Sequence, residues 1–164
     1  MDIILSTFAL IVIFPLMIFV YLYILYLDGG PVVIKQERVG LHGEKFSMYK
    51  FRTMKIDSHD LRDELAEMNQ KDGLLFKIEN DPRLLPGSEK LRKYSLDELP
   101  QFINVLKGNM SIVGPRPLFD EDMQKYNHNY MRRLNVLPGI TGLLQINERN
   151  DTEFETWYKY ELQY

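Results

Sequence analysis

The run Ile3–Leu27 carries no charged residue, and only Ser6, Thr7 and Pro15 break its apolar and aromatic character. A bilayer crossing needs about 20 such residues, so the run is of membrane length. A cleaved leader would want a basic start and small residues ahead of a cleavage point. This chain instead offers Asp2 at one end and Tyr23, Leu25, Tyr26 and Leu27 at the other, which favours a retained anchor. Tyr21, Tyr23 and Tyr26 suit the headgroup level, and Asp28-Gly29-Gly30-Pro31 stops any helix. Pro15 divides the run into two halves of about 18 Å each as helix, against a hydrocarbon core of about 30 Å. Neither half crosses alone. A kinked spanning helix and a re-entrant helix that leaves by the face it entered both stay open.

Beyond the run, Lys35, Arg38, Lys45, Lys50, Arg52 and Lys55 outnumber Glu37 and Glu44, which predicts a cytoplasmic domain by the positive-inside rule. This stretch either docks on anionic headgroups or serves as a topology signal, with Lys50 and Arg52 turned to a site. Over all 164 residues the net charge is only −3, which argues against a general nucleic-acid binder. The absence of cysteine removes disulfides, thiolate metal sites and a Cys nucleophile. No dinucleotide or Walker A loop occurs, and His42, His59 and His128 lack ligand spacing.

The pattern predicts an α+β chain: a membrane-inserted helix over 1–30 and a small mixed domain over 31–164. Strands are predicted at Val32–Lys35 and Phe46–Phe51, joined through Gly40 and Gly43, with further strands at Leu74–Ile78 and Leu143–Asn147. Asp57–Asp72 is acidic and helix-prone, with Leu61, Leu65 and Met68 on one face. Asn80-Asp81-Pro82 and Pro138-Gly139-Ile140-Thr141-Gly142 read as turns, and Met123, Tyr126, Tyr130 and Leu134 as a helical core stripe.

Candidate chemistry begins at Ser95. Leu99, Phe102, Ile103 and Leu106 predict a helix with one buried face, and Ser95 with Glu98 fits a capping box. Asp97 beside it reads either as a solvated acid near the helix dipole or as part of a phosphate-handling turn. In Gly114-Pro115-Arg116-Pro117 two prolines stiffen the backbone around one guanidinium, which suits bidentate phosphate recognition or leaves an incidental surface Arg. Arg149-Asn150 is a further possible anion contact.

Seven blocks in one order then resemble the bacterial sugar transferases, the monotopic phosphoglycosyl transferases. They are Gly30-Pro31 with Gln36 through Gly40, Tyr49 through Met54, Asp81-Pro82-Arg83, Leu91-Arg92-Lys93 with Ser95 through Gln101, Asn104 through Gly108, Ser111 through Pro117, and Pro138 through Gly142. The resemblance implies transfer of a sugar 1-phosphate from a nucleoside diphosphate sugar, usually a UDP-sugar, to polyprenol phosphate in the bacterial inner membrane, with UMP released on the cytoplasmic side. It implies that Asp97 is the nucleophile of a covalent phosphosugar intermediate and that Glu98, with Asp97, supports Mg²⁺. It further implies that Arg92, Arg116 and Arg149 face phosphate or nucleotide, that Lys50 and Arg52 assist, that membrane lipids are partners, and it admits a homodimer.

The chain departs from the family pattern at Met1-Asp2, where basic residues are usual, and at Phe14, where Ser usually precedes the proline. Leu137 and Glu148 stand where Arg and Gly are common, and the chain stops at Tyr164 where relatives run on, so a C-terminally truncated domain is expected. The alternative function is an inactive membrane-bound scaffold or subunit of a glycan assembly complex.

Overall fold

The computed structural model describes residues 1–56, 58, 78, 81–123, 129–147 and 159–163. The charge-free run forms one helix, α1 (Asp2–Asp28), with Pro15 inside it and Gly29 ending it at φ 66°. Only Ser6, Val20 and Ile24 of α1 are buried, while Phe8, Ile11 and Phe19 are about two-thirds exposed. Water does not tolerate an apolar surface of that extent, and α1 is long and apolar enough to cross a membrane. Its C-terminal half docks on the domain, where Val20 and Ile24 pack with Val32, Phe51, Leu85 and Leu91. Burying each of these two side chains contributes roughly 1.5–3 kcal/mol. Gly87 suits this seam: its φ of 86° is one that side-chain-bearing residues rarely adopt, and a Cβ there would push on the Tyr23 hydroxyl at 2.7 Å.

The strands β1 (Val33–Val39) and β2 (Lys45–Phe51) pair antiparallel, Val33 opposite Phe51 and Val39 opposite Lys45. The β1 strand runs further than predicted, and a short 3-10 turn at Leu41–Gly43 joins the two. Next come α2 (Glu89–Lys93), a 3-10 turn at Leu96–Glu98, α3 (Gln101–Leu106), β3 (Ser111–Val113), α4 (Asp120–Met123), a 3-10 segment at Tyr130–Asn135, β4 (Gly139–Thr141) and α5 (Leu143–Asn147). The fold is therefore α+β, with β3 and β4 forming a second, parallel pair.

Several expectations change. Leu143–Asn147 is a helical turn, not a strand; a short apolar run does not declare its period, and the Ile146 amide bonds back to the Gly142 carbonyl. Pro138 through Gly142 is not merely a turn, because Gly139–Thr141 is strand β4. The face of α3 turned inward is Gln101, Asn104 and Val105, whereas Ile103 and Leu106 stay exposed on an apolar flank next to α1. Lys45 pairs at the surface with Glu37 at 3.2 Å and Asp120 at 2.9 Å. Of the predicted stripe, Met123 and Tyr130 do enter the core with Val39, Leu118 and Leu144. Asp57–Asp72 apart from Ser58, most of Leu74–Ile78, Tyr126 and His128 lie outside the described residues.

Candidate active site

The acidic pair sits where α2 gives way to α3. Ser95 turns the chain with a left-handed φ of 56°, a conformation that costs a non-glycine residue about 1–2 kcal/mol. It makes no side-chain cap, so the predicted capping box with Glu98 does not form. Both carboxylates face β2 instead. Lys50, the penultimate residue of that strand, places its ammonium 3.1 Å from Asp97 Oδ2 and 3.3 Å from Glu98 Oε1. Asp97 is buried rather than solvated.

Arg116 joins the cluster at the same Glu98 oxygen, its guanidinium donating to Oε1 at 3.0 Å. Burial pushes the Glu98 carboxyl up, but the Arg116 and then the Lys50 charge outweigh it and hold the pKa at about 2. Arg116 in turn is raised, chiefly by Glu98 and against its own burial. The support behind Arg116 is tight: a Cβ on Gly114 would lie 2.4 Å from the Leu137 carbonyl, and one on Gly139 would lie 2.1 Å from the Gly114 nitrogen. Two backbones approach here as only glycine allows. Two anions beneath two cations form a centre where a phosphate can exchange contacts with Lys50 and Arg116 without leaving a charge bare.

The other predicted residues separate. Arg92 lines a cavity of about 530 Å³ that Lys35, Lys50, Thr53 and Lys55 also line, so Lys50 joins this basic hollow to the acidic pair. Arg52 borders the same cavity, but its guanidinium is committed elsewhere: it donates to Asp28 Oδ2 at 2.5 Å and to the carbonyls of Pro31, Asp28 and Gly29. It ties off the C-terminal end of α1, whose last carbonyls need donors. Arg149 lies outside the described residues.

Sequence reasoning passed over Asn104, Arg133 and Glu161. Asn104 is fully buried; its amide donates to the Ser47 carbonyl at 2.7 Å and accepts from the Tyr49 amide at 2.9 Å, fixing α3 to β2 so that Lys50 meets the pair. A polar residue spaced three from Gln101, between the apolar Ile103 and Val105, was its available signal.

Among the described residues no three His, Cys, Asp or Glu side chains converge on a metal site. Asp97 and Glu98 engage the cations through one oxygen each. Mg²⁺ takes one or two carboxylates and completes its shell with water and phosphate oxygens, so the hard oxygen donors present fit that ion.

Fold and site together define a class: a small α+β domain that carries one membrane-length helix and an acid pair held by the Lys50 and Arg116 cations. The bacterial sugar transferase family model matches residues 1–164, and the chain belongs to that family. It is 49% identical over 138 residues to the galactosyl transferase CpsE of Streptococcus agalactiae, covering 84% of this chain and 31% of that protein. With the undecaprenyl-phosphate galactose phosphotransferase of Salmonella typhimurium it shares 42% over 170 residues, 96% of this chain and 35% of the relative. With the exopolysaccharide production protein ExoY of Rhizobium meliloti it shares 35% over 167 residues, 99% of this chain and 74% of the relative. The chain thus spans about a third of the length of the first two.

Proposed function

We propose that this chain transfers a sugar 1-phosphate from a UDP-sugar to polyprenol phosphate, with Asp97 as the nucleophile. The observation that carries the reading is the buried Asp97 carboxylate held 3.1 Å from Lys50, beside a Glu98 kept ionised by Arg116. An Asp97 oxygen attacks the sugar-bearing phosphorus, the bond from that phosphorus to the bridging oxygen breaks, and UMP leaves. An acyl phosphate to the sugar remains on Asp97. An oxygen of polyprenol phosphate then attacks the same phosphorus, forming the lipid diphosphate sugar and returning the Asp97 carboxylate. Splitting one transfer between two anions into two steps is the usual gain of covalent catalysis. Lys50 and Arg116 neutralise the phosphoryl oxygens as charge builds on them. Mg²⁺, held by Asp97 and Glu98, would add charge neutralisation of the diphosphate. The names of the relatives, an undecaprenyl-phosphate galactose phosphotransferase among them, support the donor and acceptor classes.

The acceptor's lipid tail cannot leave the bilayer, so the site must work at a membrane surface. The path of α1 supports a single-face arrangement, and the excess of basic residues after it supports the cytoplasmic face. At its start Asp2 accepts a hydrogen bond from the Ser111 hydroxyl at 2.7 Å, and at its end Asp28 pairs with Arg52, so both ends touch the same domain. A helix of this length crossing a bilayer would put its ends about 40 Å apart on opposite sides, and one domain would reach only one of them. The test is incubation of the membrane-bound protein with a panel of UDP-sugars and polyprenol phosphate. Repeated UMP release, beyond the single equivalent that the first step gives with donor alone, that requires polyprenol phosphate and prefers one sugar supports the reading; no release with any donor refutes it.

A further inference from the structure

In Pro115-Arg116-Pro117 the prolines carry no N–H, so the Arg116 amide is the only backbone donor of the loop that presents the guanidinium. That donor goes to Glu161, a residue 45 positions away in a helical turn at 159–161: the Arg116 nitrogen lies 3.1 Å from Glu161 Oε1. The Arg116 carbonyl is taken from the other side by the Arg133 guanidinium. Arg133 and Glu161 pair with each other at 2.5 Å, their side chains 3% and 1% exposed. Tyr130, fully buried, completes the trio, its hydroxyl donating to Glu161 Oε2 at 3.2 Å and accepting from Arg133 at 2.6 Å.

Burying an ion pair is an inefficient way to hold two segments together, since apolar side chains of similar volume commonly do it as well or better. What the ionic trio adds is direction. It grips one residue by both its N–H and its C=O, so the two peptide units flanking Arg116 are held, and the side chain of that residue meets Glu98 at 3.0 Å. The first of those units is fixed at its other end too, the Pro115 carbonyl accepting from Gly139 N–H, and Gly114 N–H donates to the Thr141 carbonyl. Arg116 is therefore set in place from three segments distant in sequence.

We infer that Glu161 is a positioning residue for phosphoryl transfer: with Arg133 and Tyr130 it fixes the Arg116 peptide, and through it the guanidinium, against Glu98. The inference rests on Asp97 and Glu98 being the reaction centre. A shift of about 1 Å in a positioned group costs up to about a hundredfold in rate, so release of this peptide should cost tenfold or more.

The test uses the full chain in its membrane and two readouts. The first is the rate of sugar-phosphate attachment to Asp97 in native protein, Glu161→Gln, Arg116→Ala and the double variant. Glu161→Gln should lose about tenfold or more, yet add less than about twofold to the loss already caused by Arg116→Ala. The second readout, independent of turnover, is phenylglyoxal modification mapped by mass spectrometry. Arg116 should react at least about threefold faster in Glu161→Gln, with Arg52 at the end of α1 unchanged. If Glu161→Gln does not accumulate, Arg133→Lys keeps the charge opposite Glu161, gives up the bond to the Arg116 carbonyl and should move both readouts the same way. Rates within twofold of native, losses that multiply with Arg116→Ala, or an unchanged Arg116 reactivity would overturn the inference. A native protein that labels with no donor refutes the reaction-centre reading instead, and the phenylglyoxal arm still decides the clamp.

Discussion

Replacing Lys50 by Met removes, among the described residues, the cation that touches both carboxylates. Its ammonium lies 3.1 Å from Asp97 and 3.3 Å from Glu98, and at an effective dielectric of about 20 each contact carries about 5 kcal/mol of gross attraction. Much of that offsets the cost of taking the lysine out of water, since its side chain is 16% exposed. The net loss on breaking such a buried pair is about 3–5 kcal/mol. Part of it appears as lost stability. The rest appears as a raised Glu98 pKa, because only Arg116 then opposes the upward push of burial on Glu98. Lys50→Met should therefore unfold at markedly lower denaturant, and it should form the labelled Asp97 intermediate on the order of 10²-fold more slowly. Lys50→Arg, which keeps the charge, should recover most of the stability and less of the rate. Denaturant unfolding in detergent and a single-turnover labelling assay measure the two. A Lys50→Met protein with native stability and native labelling would refute the claim that Lys50 holds the pair.

Three further outcomes are expected. Gly114→Ala would set its Cβ 2.4 Å from the Leu137 carbonyl, so it should destabilise by about 3 kcal/mol or more and leave little folded protein in membranes, as measured by protease resistance. Glu98 has its folded pKa depressed to about 2 from an ordinary 4.5. Its contribution to stability should be intact above about pH 4.5 and fade as pH falls toward 2, which acid unfolding of native protein against Glu98→Gln measures. Asp2→Cys gives a single thiol in a chain with no cysteine of its own. In intact cells an impermeant thiol reagent should leave it unlabelled and label it only after permeabilisation, and labelling in intact cells would mean a spanning helix.

Features set by local chemistry were legible in the sequence. The charge-free run became α1, Asp28-Gly29-Gly30-Pro31 ended it, and two alternating runs bounded by Gly40 and Gly43 became the β1–β2 hairpin. Features that depend on distant partners were not. Leu143–Asn147 turned helical because a five-residue apolar run fits either period, and Ser95 abandoned its cap because both carboxylates of the pair answer to Lys50 from β2. The motifs brought Asp97, Glu98, Lys50 and Arg116 forward, and the structure gathers those four. Arg52 carries the same charge within the same motif and yet serves the end of α1, a difference that only the path of the helix decides. Arg133 and Glu161 carried no legible signal, because their partner is a backbone peptide whose isolation between two prolines matters only once the loop is folded.

The most direct measurement follows the covalent step itself. Membrane-bound protein is incubated with a UDP-sugar labelled in the sugar-linked phosphate, without acceptor, then denatured and counted. The account predicts label retained on the native chain, mapped to Asp97, released on adding polyprenol phosphate before denaturation, absent in Asp97→Asn, and reduced in Glu98→Gln. Undiminished label on Asp97→Asn, or UMP release with no protein-bound label under any quench, would contradict it.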